Sequence, residues 1–274
     1  MKALFLSILL TLITLPAYAD EIESTFDRVI SSHTIQCGYT IWSPLLSHNS
    51  DNNSYSGIAF DIMQEVKSRT GLNINWTEEA SVDVILQGLQ TNRYDMVCFP
   101  LYVLGTRARV ASFSVPLYYM PIYLVVRKDD KRFDNNINII NTPEVKLAVL
   151  EGEATALLGP RRFPKSTLHA VPQVQGFGFV LKDVAIGKAD VTISDITSVD
   201  DFNKNNTEKL RILGTPFVVN PVAFPLPQDF KMKSLIDSAI IEIQSDGWLE
   251  NLLKTKYPDF YKQIVMPAPA YNNK

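Results

Sequence analysis

Residues 99–119 read F-P-L-Y-V-L-G-T-R-A-R-V-A-S-F-S-V-P-L-Y-Y. The apolar run before them, residues 94–99, predicts a buried strand that stops at Pro100, because proline has no N–H to give a sheet ladder. The polar residues that follow are thereby placed at a strand's carboxyl end, the edge of an open α/β sheet where ligands bind. Arg107 is the candidate there. Its guanidinium presents a planar fork of donors that matches a carboxylate, which a lysine cannot reproduce. A lone arginine also reads as a solvated loop residue, and the residues of this stretch alone leave both readings open.

Upstream, T-I-Q-C-G-Y-T at 34–40 predicts a strand running into Trp42, an indole placed either to pack on a ligand or to fill the core beneath its loop. Residues 47–57 are turn chemistry, and His48 among them is expected to be solvated. Apolar residues at 58, 59, 62, 63 and 66 form one helical stripe, which Gly71 stops. A strand at 72–77 and a helix at 82–90 complete an alternation that implies a parallel sheet with right-handed crossovers.

Downstream, residues 116–128 are a long apolar, extended piece that ends in the solvated turn K-D-D-K-R. The alternation then repeats: strand 145–150, helix 152–158, strand 167–171, helix 177–186, strand 190–194, and a helix after Asp195. A second extended stretch, 217–226, carries two prolines, and helices follow at 230–243 and 247–257. Residues 152–155 would open a helix with free backbone N–H groups, a natural seat for an anion. Asp195 reads equally as the N-cap of its helix or as an acidic group at a strand end.

The order of these motifs resembles the family 3 periplasmic solute-binding proteins of the polar amino-acid type. G-I-A-F-D-I-M, N-R-Y-D-M-V, T-R-A-R and F-S-V-P-L-Y-Y stand for the first lobe. L-A-V-L-E-G-E-A-T and G-K-A-D-V-T-I-S-D-I stand for the second, and Q-S-D-G-W-L-E-N-L-L-K-T-K-Y closes the chain. The resemblance implies an α/β fold of two lobes, each a mostly parallel sheet flanked by helices, joined by two hinge crossings. Lobe 1 would take residues 20–120 and 222–274, and lobe 2 residues 121–221. It implies that Arg107 holds a ligand carboxylate, that Asp195 receives an α-ammonium, and that Trp42 stacks over the ligand. The chain departs from its relatives at Glu153 and Ala154, where two threonines are usual before the helix at Thr155. It departs again at Tyr102 and Pro100, where small hydroxyl residues are usual. Glu153 then reads as a helix cap, or as a general acid if the protein were a cyclic-carboxylate dehydratase like some relatives. The implied partners are a small solute, an amino acid or related carboxylate or amine, and an inner-membrane ABC transporter permease, with a monomer expected. A soluble sensor or scavenger without a transporter is a further alternative.

Residues 1–19 hold Lys2, an apolar run from 3 to 15, Pro16 and a small-x-small site at 17–19, a secretory signal peptide that implies a periplasmic protein. No cysteine follows that site, so no lipid anchor is expected. Removing them leaves 255 residues and moves the formal charge from −3 to −4, enough chain for one large or two modest domains. Mild acidity without basic clusters argues against nucleic acid. His33, His48 and His169 have no metal spacing, no nucleophile or phosphate-loop motif occurs, and Gly176-Phe177-Gly178 lacks a third glycine; no cofactor is expected. Cys37 and Cys98 either pair or sit as two small buried hydrophobes.

Overall fold

A computed structural model describes residues 23–268; the signal-peptide segment lies outside them. Helix α1 (Thr25–Ser32) leads into β1 (Thr34–Tyr39), and α2 (Ile58–Thr70) follows a short hairpin, Ser47–Asn49 against Ser54–Ser56. The hairpin replaces the expected featureless turn. His48 is not simply solvated: it stacks on Tyr55 at 4.6 Å and bonds Asn53, while Tyr55 stacks on Trp76 at 5.2 Å. Aromatic stacking across chain segments supplies the order that turn chemistry does not announce.

The stripe of α2 behaves as its spacing requires: Ile58, Ala59, Ile62, Met63 and Val66 are the buried residues of that helix, and Gly71 closes it in a left-handed conformation. β2 (Asn73–Glu79), α3 (Ile85–Gln90) and β3 (Met96–Val97) follow. The three strands form a parallel sheet ordered β2-β1-β3. β3 is shorter than the apolar run predicts. The Asp95 carboxylate accepts from the Gln36 N–H, and the Cys98 N–H donates to the Gly38 carbonyl, so the flanks are held by bonds outside a regular ladder. Cys37 and Cys98 are joined as a disulfide between these neighbouring strands, with Cα atoms 5.4 Å apart.

A second sheet begins with β4 (Leu101–Tyr102) and β5 (Tyr118–Arg127). β6 (Lys146–Leu150), α4 (Ala154–Arg162), β7 (Thr167–Val171), α5 (Phe177–Ala185), β8 (Val191–Ser194) and α6 (Ile196–Asn205) repeat the βα alternation. β9 (Leu210–Ala223) then returns alongside β5. The order is β7-β6-β8-β5-β9-β4. β7, β6 and β8 run parallel, and β5, β9 and β4 add antiparallel pairs. β9 starts seven residues before the proline-marked stretch that predicts it, because its first half pairs with the far end of β5 and its second half with the near end; the register breaks between Leu213 and Val218.

Helices α7 (Phe230–Ser245) and α8 (Trp248–Lys256) fold back onto the first lobe. Arg69 at the end of α2 bonds Glu65 on its own helix and reaches Glu242 and Asp246 at the end of α7. Asp61 on α2 takes the Lys256 ammonium and the Tyr257 hydroxyl. Two lobes joined by β5 and β9 leave a cleft between them, as the resemblance implies. Among the described residues no helix is long and apolar enough to cross a membrane.

Candidate functional site

A cavity of about 120 Å³ lies in that cleft. The crossing strands line it with Tyr118, Met120, Ile122 and Val222. Trp42, Pro100, Tyr102 and Arg107, which precede β5, and Glu153, Thr155 and Asp195, which lie between β5 and β9, complete the lining. Seven of the eight residues singled out by sequence therefore share one space. The exception is Ala154, which is fully buried and absent from the lining; its N–H is taken by Glu153 Oε2 at 2.9 Å. The expected anion seat at the start of α4 is thus capped by its own neighbour, since a carboxylate one residue before a helix is close enough to reach the first free donor.

Arg107 opens a single 3-10 turn, Arg107–Arg109, and is only 6 % exposed, so it is no solvated loop residue. Its guanidinium donates to the Tyr102 carbonyl at 3.3 Å and the Gly152 carbonyl at 3.4 Å. Both bonds are long, and among the described residues Arg107 forms no ion pair. Burial pulls its pKa below the usual arginine range, with Glu153 and then Tyr102 opposing that pull. A guanidinium buried with weak partners is costly, and a bound carboxylate would offset that cost with two short charge-assisted bonds.

Asp195 is the N-cap of α6: its Oδ1 accepts from the Ser198 N–H and its Oδ2 from the Ser198 hydroxyl, each at 2.8 Å. The cap leaves Asp195 in the cavity lining. Tyr102 and Tyr118 are held neutral. Burial raises both hydroxyls, and the nearby Asp195 charge raises them further. The Thr155 hydroxyl is buried without a hydrogen-bond partner and belongs to the cavity lining. A buried polar atom left unpaired costs free energy, so it marks where a ligand atom would be welcome.

Residues far apart in the chain meet beside the cavity. Trp42 packs against apolar clusters of both lobes, its ring 5.9 Å from that of Phe177 on α5. Gly152 sits at φ +75°, and a Cβ there would come within 2.4 Å of the Asp83 Cβ across the cleft. Sequence reasoning missed Phe177, Ser194, Ser198 and Asp201, which also line the cavity. A signal existed for the last two: Ser198 and Asp201 follow the Asp195 cap at three-residue steps, the spacing that carries one face of α6. Phe177 gave none beyond its flanking glycines.

Residues 35–258 match the profile of the bacterial extracellular solute-binding proteins, family 3. A probable amino-acid-binding protein of Bacillus subtilis (strain 168) is 23 % identical over 205 residues, covering 74 % of this chain and 76 % of that protein. A probable amino-acid ABC transporter-binding protein of Haemophilus influenzae is 24 % identical over 232 residues, with 82 % and 85 % covered. Among solved structures, the ancestral amino acid-binding protein AncCDT-1, a precursor of cyclohexadienyl dehydratase, superimposes with a TM-score of 0.71 at 20 % identity, covering 85 % of this chain and 98 % of that one. With a cleft between two α/β lobes already in place, and a profile match that runs from the first strand to the last helices, the chain belongs to family 3 of the bacterial extracellular solute-binding proteins.

Proposed function

We infer that this solute-binding protein takes an α-amino acid into the cleft, works in the periplasm once residues 1–19 are removed, and delivers its ligand as a monomer to an inner-membrane ABC permease. The observation that carries the reading is a buried guanidinium, Arg107, without a carboxylate partner, in one cavity with the Asp195 carboxylate and the unpaired Thr155 hydroxyl. In this assignment Arg107 holds the ligand carboxylate, Asp195 receives the ammonium, and Thr155 donates or accepts a single bond. Trp42 covers the ligand, and Tyr102 and Pro100 shape the first-lobe wall. Glu153 tunes the field at Arg107 and caps α4. Ala154 acts only by keeping α4 packed. Lobe 1 comprises residues 20–120 and 222–274 and lobe 2 residues 121–221, with β5 and β9 as the crossings.

Ligand binding favours the closed cleft only through contacts made in the closed state. Isothermal titration with a panel of L-amino acids checks the assignment. Arg107→Ala is expected to weaken binding of every zwitterionic ligand by about 100-fold, the scale of a lost charge-assisted pair; unchanged affinity refutes it. One observation favours a second reading: Glu153 lines the same cavity as Arg107, the pairing a cyclic-carboxylate dehydratase would need. Turnover of prephenate-type substrates, abolished by Glu153→Gln, would establish that reading in place of simple binding.

A further inference from the structure

Among the described residues, two hydrogen bonds made by side chains join residues 121–221 to the rest of the chain. One is the long bond from Arg107 to the Gly152 carbonyl. In the other, the part-buried Thr197 hydroxyl donates to the Gln263 Oε1. Gln263 follows a short helix, α9 (Pro258–Tyr261), in a segment fastened well away from Thr197. The Tyr257 hydroxyl bonds Asp61 on α2 at 2.6 Å, and the Tyr261 hydroxyl bonds Glu250 on α8 at 2.7 Å. Val265 exchanges backbone bonds with Tyr119 in β5 at 2.7 and 2.8 Å. Between these points Phe260 packs edge-on against Tyr118, with ring centres 5.3 Å apart, and lines the first cavity. Thr197 is the second residue of α6, the helix that Asp195 caps. α6 also walls both the first cavity and a second one of about 550 Å³, through Ser198 and Asp201. Gln263 thus has a fixed base, and the group it holds belongs to the helix that carries one wall of the cleft.

We propose that residues 257–266 form a latch in which Gln263 holds α6 in place when the cleft is shut, so that the C-terminal segment sets the closing equilibrium for every ligand alike. This rests on the reading of residues 121–221 as a lobe that swings on β5 and β9 around a bound amino acid. Gln263 lines neither cavity, so its bond favours closure without discriminating among ligands. A bond that the ligand does not touch, made only in the closed state, changes every apparent affinity by one factor. Neither the threonine hydroxyl nor the glutamine amide titrates near neutral pH, so that factor is independent of pH there.

The test compares the mature protein with Gln263→Leu, which keeps the bulk of the side chain and loses its acceptor. Stopped-flow kinetics are measured with those L-amino acids of the standard set that bind. Dissociation is expected to quicken about fivefold in the variant, the worth of one neutral hydrogen bond, while association changes little. The factor should be the same for each amino acid, leaving their order of preference intact. Thr197→Val should weaken binding as well, and the double variant by less than the product of the two single effects, because one bond is lost in both. Dissociation rates unchanged by Gln263→Leu, a factor that differs from one amino acid to the next, or single effects that multiply in full overturn the latch while the amino-acid site stands. A lowered melting temperature with unchanged dissociation gives Gln263 a purely structural role and overturns it too. Binding of no amino acid, or binding indifferent to Arg107→Ala, overturns the reading of the site and the latch with it.

Discussion

Arg107 shows how burial sets one arginine apart from the solvated ones. Its two carbonyl bonds at 3.3 and 3.4 Å are weak, and its charge sits in a space from which most water is excluded. Lysine at 107 would keep the charge and lose the fork. Arg107→Lys is therefore expected to retain part of the affinity that Arg107→Ala loses, leaving about a 10-fold deficit by titration calorimetry. Asp195 permits its two roles to be separated. Asp195→Asn keeps an oxygen for the Ser198 N–H and so keeps the cap, while Asp195→Ala removes it. Thermal melts should show about 1 kcal/mol lost in the alanine variant and little in the asparagine variant. Both should lose affinity for a ligand ammonium. Equal stability and undiminished binding in the two variants would leave Asp195 without either role.

At the scale of elements, the disulfide and an ion cluster secure the ends of the strands. Cys37 and Cys98 close a loop with a sequence separation of 61, which chain-entropy arguments value at about 4 kcal/mol. The Cys37→Ala/Cys98→Ala double variant, compared by denaturant unfolding with the oxidised protein, is expected to lose stability on that order. At the end of β5, Arg127 and Arg132 meet Asp130 and Asp190. The Arg132 bond holds the Asp130 carboxyl below its usual pKa. A carboxylate depressed in the folded state adds stability above its unfolded pKa and loses it as pH falls through the folded value. Asp130→Asn should therefore cost about 1–2 kcal/mol at pH 7 and progressively less from about pH 4 downward. A cost that stays constant with pH would rule out the charge as its source. The strands themselves were legible by period and composition, and so was α2, down to its buried stripe. The hairpin at residues 47–56 and the truncated β3 were not, because stacking on Trp76 and the side-chain bonds of Asp95 join segments far apart in the chain.

For the whole molecule, closure is the property that matters, and Gly152 is where it can be tested. Its backbone conformation and the 2.4 Å approach to Asp83 leave no room for a side chain while the lobes are together. Gly152→Val is expected to wedge the cleft, giving a larger radius of gyration with ligand present and at least a 10-fold weaker affinity. Small-angle scattering that shows the same ligand-bound compaction as the unsubstituted protein would refute the wedge. A ligand that binds only the folded protein should also raise its melting temperature, by the equivalent of about 2.7 kcal/mol at a hundred times its Kd.

What the chain determined by itself was periodic or chemical. Alternating strand and helix patterns specified parallel α/β sheets, proline-marked apolar stretches specified long extended strands, and Arg107 and Asp195 were legible as charged residues placed after strands. Those properties are local, and a period or a strand end can be read without neighbours. Tertiary structure alone decided that Cys37 reaches Cys98, that Phe177 meets Trp42, and that Asp201 lines two cavities. Each of those depends on where one lobe comes to rest against the other or on which strands become neighbours. The sum of many weak contacts, rather than any pattern along the chain, sets those positions.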